Sequence, residues 1–153
     1  MAKNNISEID KQVNLHIIPV LYEWGLERHP SQLAEFGRYE NGFLYQFVDK
    51  RDFYNVKLCD IHIFRKELSL MIEGSRGIVI KDNDDEIPII GSSDVKDVFV
   101  LTRPVNFISL IRNKFDLSFR LKQKYKDKEG FSSCHIVSEV LNEMPRLKEY
   151  LYG

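Results

Sequence analysis

Three residue types that cooperate in hydrolytic catalysis lie close together in the middle of the sequence. Asp60 and His62 are two positions apart, and Ser69 follows them. In a hairpin that pairs Ile63 with Leu68, Ser69 lies opposite His62. Asp60 is then the neighbour of His62 on the same face of the strand. Such a set supplies a nucleophile, a base and an orienting group. No pattern around it indicates an oxyanion hole or an enclosing pocket, so we predict no catalytic residue.

Acid–base cleavage of RNA is a second chemistry open to His62. It requires a general acid–base pair and a cationic group, for which Lys57, Glu67 and Glu73 are the candidates. A small nuclease or hydrolase centred on His62 is therefore an alternative function.

The sequence also contains residues that can bind a metal ion. They are Cys59, His62, Cys134, His135, Glu139 and Glu143. Metal sites usually take two closely spaced ligands from one element, and only His135 and Glu139 have that spacing. The polar side of an amphipathic helix explains this pair, and two distant cysteines give neither a disulfide framework nor a common zinc site. We expect no metal ion and no cofactor.

Length and composition predict one domain, residues 1–153. The chain has 22 Lys and Arg against 23 Asp and Glu, and 43% of its residues are hydrophobic. That size allows a substantial core. A net charge of -1 excludes a uniformly basic nucleic-acid binder. No apolar run is long enough to cross a membrane, and the first residues do not resemble a signal peptide, so we expect a cytoplasmic protein.

The charges are unevenly distributed along the chain. Residues 82–97 contain six acidic residues and one lysine. An acidic patch of this kind can bind a basic protein surface, where complementary charge mainly accelerates association. The predicted partner-binding residues are Asp82, Asp84, Asp85, Glu86, Asp94 and Asp97.

A basic segment follows, since residues 103–128 contain eight Lys and Arg against two Asp. In an extended chain alternate side chains lie roughly 6–7 Å apart, similar to successive phosphates. A solvated strand edge protected by lysines is the simpler explanation. The candidate anion-binding or nucleic-acid-binding residues are Arg112, Lys114, Arg120, Lys122, Lys124, Lys126 and Lys128.

Helices are predicted at both ends of the chain. The first begins at an N-cap, Ser7, with apolar residues at helical spacing as far as Trp24. Pro19 predicts either a kink or a restart of this helix, and Gly25 predicts its end. The last helix is predicted to begin at Ser132 or Ser133, and Pro145 to restart a final turn.

Between the helices, apolar residues alternate with polar ones, which predicts strands. A change in the phase of this alternation near Leu58 and Cys59 predicts a β-bulge. A short helix is expected to begin near Pro104. The predicted strands are residues 43–49, 53–64, 67–73, 77–81, 87–90, 94–101 and 116–125, with helix as the alternative for the last.

These elements predict an α+β fold, with an N-terminal helix and C-terminal helices packed on a mainly antiparallel sheet of five to seven strands. The function expected is a non-enzymatic protein-binding module. Its most concrete form is a small cytosolic inhibitor or immunity-type protein that neutralises a partner, such as a toxin or nuclease domain, through charged patches. Aromatic and arginine residues near the first hairpin, Tyr39, Tyr45 and Tyr54 with Arg38 and Arg51, are either core residues or a recognition patch.

Overall fold

A computed structural model describes residues 5–52, 54–77, 87–92, 95, 97–103, 119–120 and 131–153. Over these residues the chain forms helices at both ends and an antiparallel sheet between them, which confirms the predicted α+β fold. The helices are α1 (Asn5–Gln12), a π-helical turn (Val13–Ile17), α2 (Ile18–Trp24) and α3 (Phe131–Tyr152). The strands are β1 (Glu27–Arg28), β2 (Phe36–Tyr39), β3 (Gly42–Asp49), β4 (Val56–Phe64), β5 (Ser69–Gly77), β6 (Phe99–Val100) and β7 (Phe119–Arg120).

Three long strands, β3, β4 and β5, form the middle of the sheet as an antiparallel meander. The strands β1 and β2 both pair with β3 on one side, and β6 and β7 both pair with β5 on the other. The turns that join β3 to β4 and β4 to β5 are short, because antiparallel neighbours need no crossover helix between them. The terminal helices are therefore free to cover one face of the sheet.

The N-terminal helix is continuous through Pro19 because its backbone changes pitch there. Pro19 lies in the first turn of α2, directly after the π-helical turn. A proline has no N–H to donate, and the first turn of a helix is where that donor is not needed. The predicted restart at Pro19 is therefore confirmed, as is the end at Gly25, which has a φ of 103°. Ser7 lies inside α1 and is not its N-cap.

The main hydrophobic core lies between the helices and one face of the sheet, which we call the helix face. Odd-numbered residues of β3 and β4 and even-numbered residues of β5 point into it. Its fully buried side chains include Ile9, Ile17 and Leu21 from the N-terminal helices and Phe47, Ile61 and Ile72 from the sheet.

The other face, which we call the outer face, is also partly covered. Val48, Val56 and Leu58 pack there against Ile87 as a second buried cluster. This explains the phase change that predicted a bulge near Leu58, because apolar residues are needed on both faces at this end of the sheet. The prediction itself is wrong: β4 pairs residue by residue with β5 from Val56 to Phe64. The residues around Ile87 form bends and a turn, not the predicted strand 87–90.

The β4–β5 hairpin has a longer turn than predicted. Residues 65–68 form a four-residue turn in which Leu68 has a φ of 49°. Ile63 consequently pairs with Leu70 and not with Leu68. A shift of two residues leaves each side chain on its predicted face, because side chains alternate with a period of two, but it changes every partner across the strands.

The C-terminal helix begins at Phe131, one or two residues before the predicted start, and it is a single helix, so the predicted restart at Pro145 is wrong. Pro145 lies inside α3, which runs through to Tyr152. Of the described residues in the predicted strand 94–101, only Phe99 and Val100 are in a strand. The predicted helix near Pro104 and most of the strand 116–125 lie outside the described residues, apart from β7.

Candidate functional site

Two carboxyl groups and an imidazole meet at the centre of the outer face. Asp60 and His62 lie on β4, and Glu73 lies directly opposite Asp60 on β5. Nε2 of His62 is 3.4 Å from Oε2 of Glu73 and 4.0 Å from Oδ2 of Asp60. Strand alternation puts Asp60 and His62 on the same face, and antiparallel pairing adds Glu73. We call these three residues the carboxylate–histidine cluster.

Asp60 is the most buried member of the cluster, with 3% of its surface exposed. Gln46 lies opposite it on β3 and donates a hydrogen bond from Nε2 to Asp60 Oδ2, at 3.0 Å. Burial raises the pKa of Asp60 to about 7, and the nearby Glu73 carboxylate acts in the same direction. The hydrogen bond from Gln46 and the attraction of His62 lower the pKa but do not offset the burial.

His62 is held in place by stacking. Its ring lies parallel to the ring of Phe64, with centroids 5.6 Å apart. Its Nε2 atom is buried and has no hydrogen-bond partner, although the Glu73 carboxylate is close. Nε2 of His62 therefore lies near both carboxylates but makes no hydrogen bond to either of them.

The residues expected to accompany His62 in catalysis are mostly placed elsewhere. Ser69 lies opposite Phe64 and not opposite His62, so the predicted serine, histidine and aspartate register is wrong. Lys57 packs over the ring of Tyr152 on the helix face, and Glu67 lies in the exposed turn of the hairpin. Of the proposed acid–base partners only Glu73 is in contact with His62.

The other predicted ligands also lie apart from the cluster. Cys59 points into the main core, and burial raises the pKa of its thiol. Cys134 is exposed on α3. The pair His135 and Glu139 lies on that helix, with Nε2 and Oε1 2.9 Å apart.

The histidine–carboxylate pair on α3, His135 and Glu139, has a cation beside it. Arg103 is buried, and its Nε lies 2.9 Å from Oε2 of Glu139. Near it, Arg146 donates a hydrogen bond to the carbonyl of Thr102 and contacts Glu143. These ion pairs attach residues 101–103 to α3, which is a structural role. Among the described residues no Lys or Arg forms an ion pair with Asp60 or Glu73.

A different group of residues fixes the end of the sheet where β3 meets β4. Asp49 is buried and accepts hydrogen bonds from Nε of Arg51 at 2.9 Å and from the hydroxyl of Tyr152 at 2.8 Å. Arg51 also donates to the carbonyl of Trp24. Although burial acts to raise the pKa of Asp49, the hydrogen bonds from Arg51 and Tyr152 hold it below its usual value. This end of the sheet is thereby joined to both terminal helices.

Tyr54 projects from the turn between β3 and β4. It is 85% exposed. The backbone around it is fixed locally, because the Asp52 side chain accepts a hydrogen bond from the N–H of Tyr54, and the carbonyl of Asp52 accepts one from Asn55. Of the three tyrosines in the predicted recognition patch, only Tyr54 is exposed, because Tyr45 is buried and Tyr39 is half-buried; Arg38 and Arg51 are exposed as well.

The predicted acidic patch is described only in part. Asp82, Asp84, Asp85, Glu86 and Asp94 lie outside the described residues, and Asp97 is exposed. The residues that flank the segment 78–86 are placed: Gly77 pairs with Val56, and Ile87 packs in the cluster that contains Val56. The carbonyl of Asp97 accepts a hydrogen bond from Ser75, two residues before Gly77. The described residues that flank the acidic segment therefore lie at the end of the sheet that carries Tyr54.

The predicted basic stripe lies almost entirely outside the described residues. Arg112, Lys114, Lys122, Lys124, Lys126 and Lys128 are outside them. The backbone of Arg120 lies in β7, paired with Ser69. An extended conformation is thus established at this one position of the stripe.

Comparison with protein families, with curated proteins and with solved structures found no significant match to this chain. In the part of the chain that the structure describes, no helix is long and apolar enough to span a membrane.

The sequence placed Asp60, His62 and Glu73 on one face and joined them only as one form of the alternative hydrolase or nuclease centre, in which Ser69 could take the place of Glu73. The usable signal was the Asp-x-His spacing in a strand, which puts both side chains on the same side, followed by an acid at an in-phase position of the next strand. The missing information was the length of the turn.

Proposed function

We propose that this protein is a non-enzymatic protein-binding module that acts as an inhibitor or immunity-type protein. Its binding surface is the sheet end formed by the β3–β4 turn, Gly77 and Ile87, with the acidic segment attached there. The partner is a protein with a basic functional cleft, such as the phosphate-binding cleft of a nuclease or toxin domain. The chain neutralises it by covering that cleft.

The observation that carries the proposal is the exposed Tyr54, whose N–H donates a hydrogen bond to the Asp52 side chain next to it. Tyrosine is enriched among the residues that dominate interface energetics, because it combines a large apolar ring with a polar hydroxyl. A turn ordered before binding loses less entropy when the partner docks. The hydrogen bonds that join Asp49 to Arg51 and Tyr152 give this turn a rigid base.

Charge provides the second support. Residues 82–97 carry six acidic residues. Gly77 before them pairs with Val56, and the carbonyl of Asp97 at their end accepts a hydrogen bond from Ser75, at the end of the sheet that carries Tyr54. An acidic segment attracts a basic cleft at long range and selects against acidic surfaces. Such an interaction associates more slowly as salt rises, because the attraction is screened.

The test is affinity purification of the tagged chain from its native cell, followed by the same purification with variants. A stoichiometric partner should be retained by the wild type and lost with Tyr54→Ala and with the double variant Asp84→Lys, Asp85→Lys. The matched control is Glu40→Lys, Glu67→Lys, which reverses two charges at the opposite end of the sheet. Tyr54 makes little contact with the rest of the chain, so its removal should leave folding intact.

Recovery of the chain alone, or equal retention of a partner by all three variants, would overturn the proposal. Where a partner is retained, its activity should fall to zero at a 1:1 ratio of the two proteins. Retention of the purified chain on an oligonucleotide at about 50 mM salt would instead favour nucleic-acid binding through the basic stripe.

A further inference from the structure

The carboxylate–histidine cluster is an arrangement that the proposed binding surface does not use. One atom from each of Asp60, His62 and Glu73 lies within 4.8 Å of the other two. Asp60 and His62 lie on β4, which pairs continuously with β3 and β5, and Glu73 lies on β5, which pairs with β4 along its length and with β6 at Glu73 itself. Ligands on rigid strands keep their spacing, which loops do not guarantee.

The charge of the cluster is not balanced by the rest of the described protein. Two carboxyl groups share a largely buried space with one imidazole, and no described lysine or arginine pairs with either acid. The pair of Glu139 and His135 on α3 differs from the cluster, because Arg103 supplies a positive charge beside it. A divalent cation in the cluster would neutralise two carboxylates in a region where charge is poorly solvated.

The orientation of the side chains also fits ligands that converge on a common point. Nε2 of His62 is buried and close to Glu73, yet it makes no hydrogen bond. A buried imidazole nitrogen that lies within 4.0 Å of two carboxylates and makes no hydrogen bond to either has a lone pair available for a metal ion. Gln46 donates to Asp60 and orients that carboxylate, which is the usual task of residues behind metal ligands.

We propose that Asp60, His62 and Glu73 bind one divalent transition-metal ion of the zinc class, through Nε2 of the histidine and one oxygen of each acid. In tetrahedral coordination with bonds of about 2.0–2.1 Å, ligand atoms lie about 3.3 Å apart. The distance from His62 to Glu73 is 3.4 Å and that from His62 to Asp60 is 4.0 Å, so only small side-chain movements are needed. An imidazole with two carboxylates suits zinc or manganese better than calcium, which prefers oxygen ligands alone.

The experiment uses the purified full-length chain, freed of metal with a chelator and then dialysed. Zn²⁺ is titrated by calorimetry, and Co²⁺ is added separately, because its visible absorption reports a protein nitrogen and oxygen ligand set. We expect one ion per chain. The variants His62→Ala and Glu73→Gln should each weaken Zn²⁺ binding at least tenfold, about the smallest loss seen even when residues behind the ligands are removed. Glu73→Gln keeps the size of the side chain, so it also serves where His62→Ala folds poorly.

The matched control is His16→Ala, which removes an exposed histidine from the π-helical turn and should leave binding unchanged. His135→Ala tests the histidine–carboxylate pair on α3 and should also have no effect. Zn²⁺ should raise the melting temperature of the wild type and of both controls but not that of Glu73→Gln. Absence of stoichiometric binding, equal affinity in Glu73→Gln, or loss of binding in His135→Ala would overturn the proposal. These measurements need no partner protein, so they stand or fall independently of the proposed function.

Discussion

Replacing Asp60 by asparagine is expected to stabilise the metal-free protein at neutral and alkaline pH. The side chain is almost fully buried, and burial raises its pKa from 3.8 to about 7. Asparagine keeps the shape of the side chain and can still pair with Gln46, but it has no charge to bury. The change therefore removes the cost of ionising a carboxyl group inside the sheet.

The size and sign of the effect follow from the two pKa values. A carboxyl whose pKa is higher in the folded protein than in the unfolded chain holds its proton more tightly when folded, so it favours folding at low pH. This contribution is complete below about pH 4 and is lost as the pH rises to about 7. The difference of about three between the pKa values corresponds to ~4 kcal/mol in total, of which ~2–3 kcal/mol is lost between pH 5 and pH 8.

The assay is urea unfolding of the wild type and Asp60→Asn at several pH values from 4.5 to 8.5, in buffer with a chelator. The difference in unfolding free energy between the two proteins should grow with pH in favour of the variant and level off above about pH 7. Titrating groups that do not interact with Asp60 cancel in this difference. Glu67→Gln, which removes an exposed acid from the hairpin turn, should give a curve parallel to that of the wild type. A pH-independent difference between the wild type and Asp60→Asn would refute the reasoning.

Two further predictions concern stability elsewhere in the fold. Tyr152→Phe removes the hydrogen bond to the buried Asp49 carboxylate and should lower the unfolding free energy by about 1.5–3 kcal/mol at pH 7, whereas Tyr22→Phe, at a half-exposed position on α2, should change it by less than about 0.5 kcal/mol in chemical denaturation. Both Gly42 and Gly37 have φ near 145°, but only at position 42 would a Cβ collide with a carbonyl oxygen of β4. Gly42→Ala should therefore destabilise the protein by at least about 2 kcal/mol more than Gly37→Ala, as measured by melting temperature and urea midpoint. Equal effects of the two substitutions would contradict this reasoning.

The sequence predicted the fold class well because the hydrophobic pattern specifies each element locally. The apolar spacing between Ile9 and Trp24 indicates a helix whatever else surrounds it, and the alternation around β3 and β4 indicates strands. The errors arose where a residue's environment is set by distant parts of the chain. The bulge near Leu58 was inferred from apolar residues on both faces, and those residues are explained by Ile87 packing on the outer face.

The candidate site shows the same division. The period of two in β4 and β5 was enough to place Asp60, His62 and Glu73 on the same face. Their meeting depended on the turn at 65–68, where Leu68 adopts a positive φ that no glycine or asparagine announces. Ser69 was expected opposite His62, and the longer turn moved it opposite Phe64.

What the sequence alone determined is the helix at each end, the long strands β3, β4 and β5 between them, the face on which the side chains of these strands lie, and the separation of charge between residues 82–97 and 103–128. These properties depend on residue types at short spacing, which local geometry converts directly into structure. The tertiary structure decided which residues face one another across strands. It also decided that Glu139 pairs with Arg103, whereas no described lysine or arginine pairs with Asp60 or Glu73. Finally, it decided that Tyr54 is exposed. Those depend on turn length and on packing between segments far apart in the chain, and neither is encoded in any short stretch of residues.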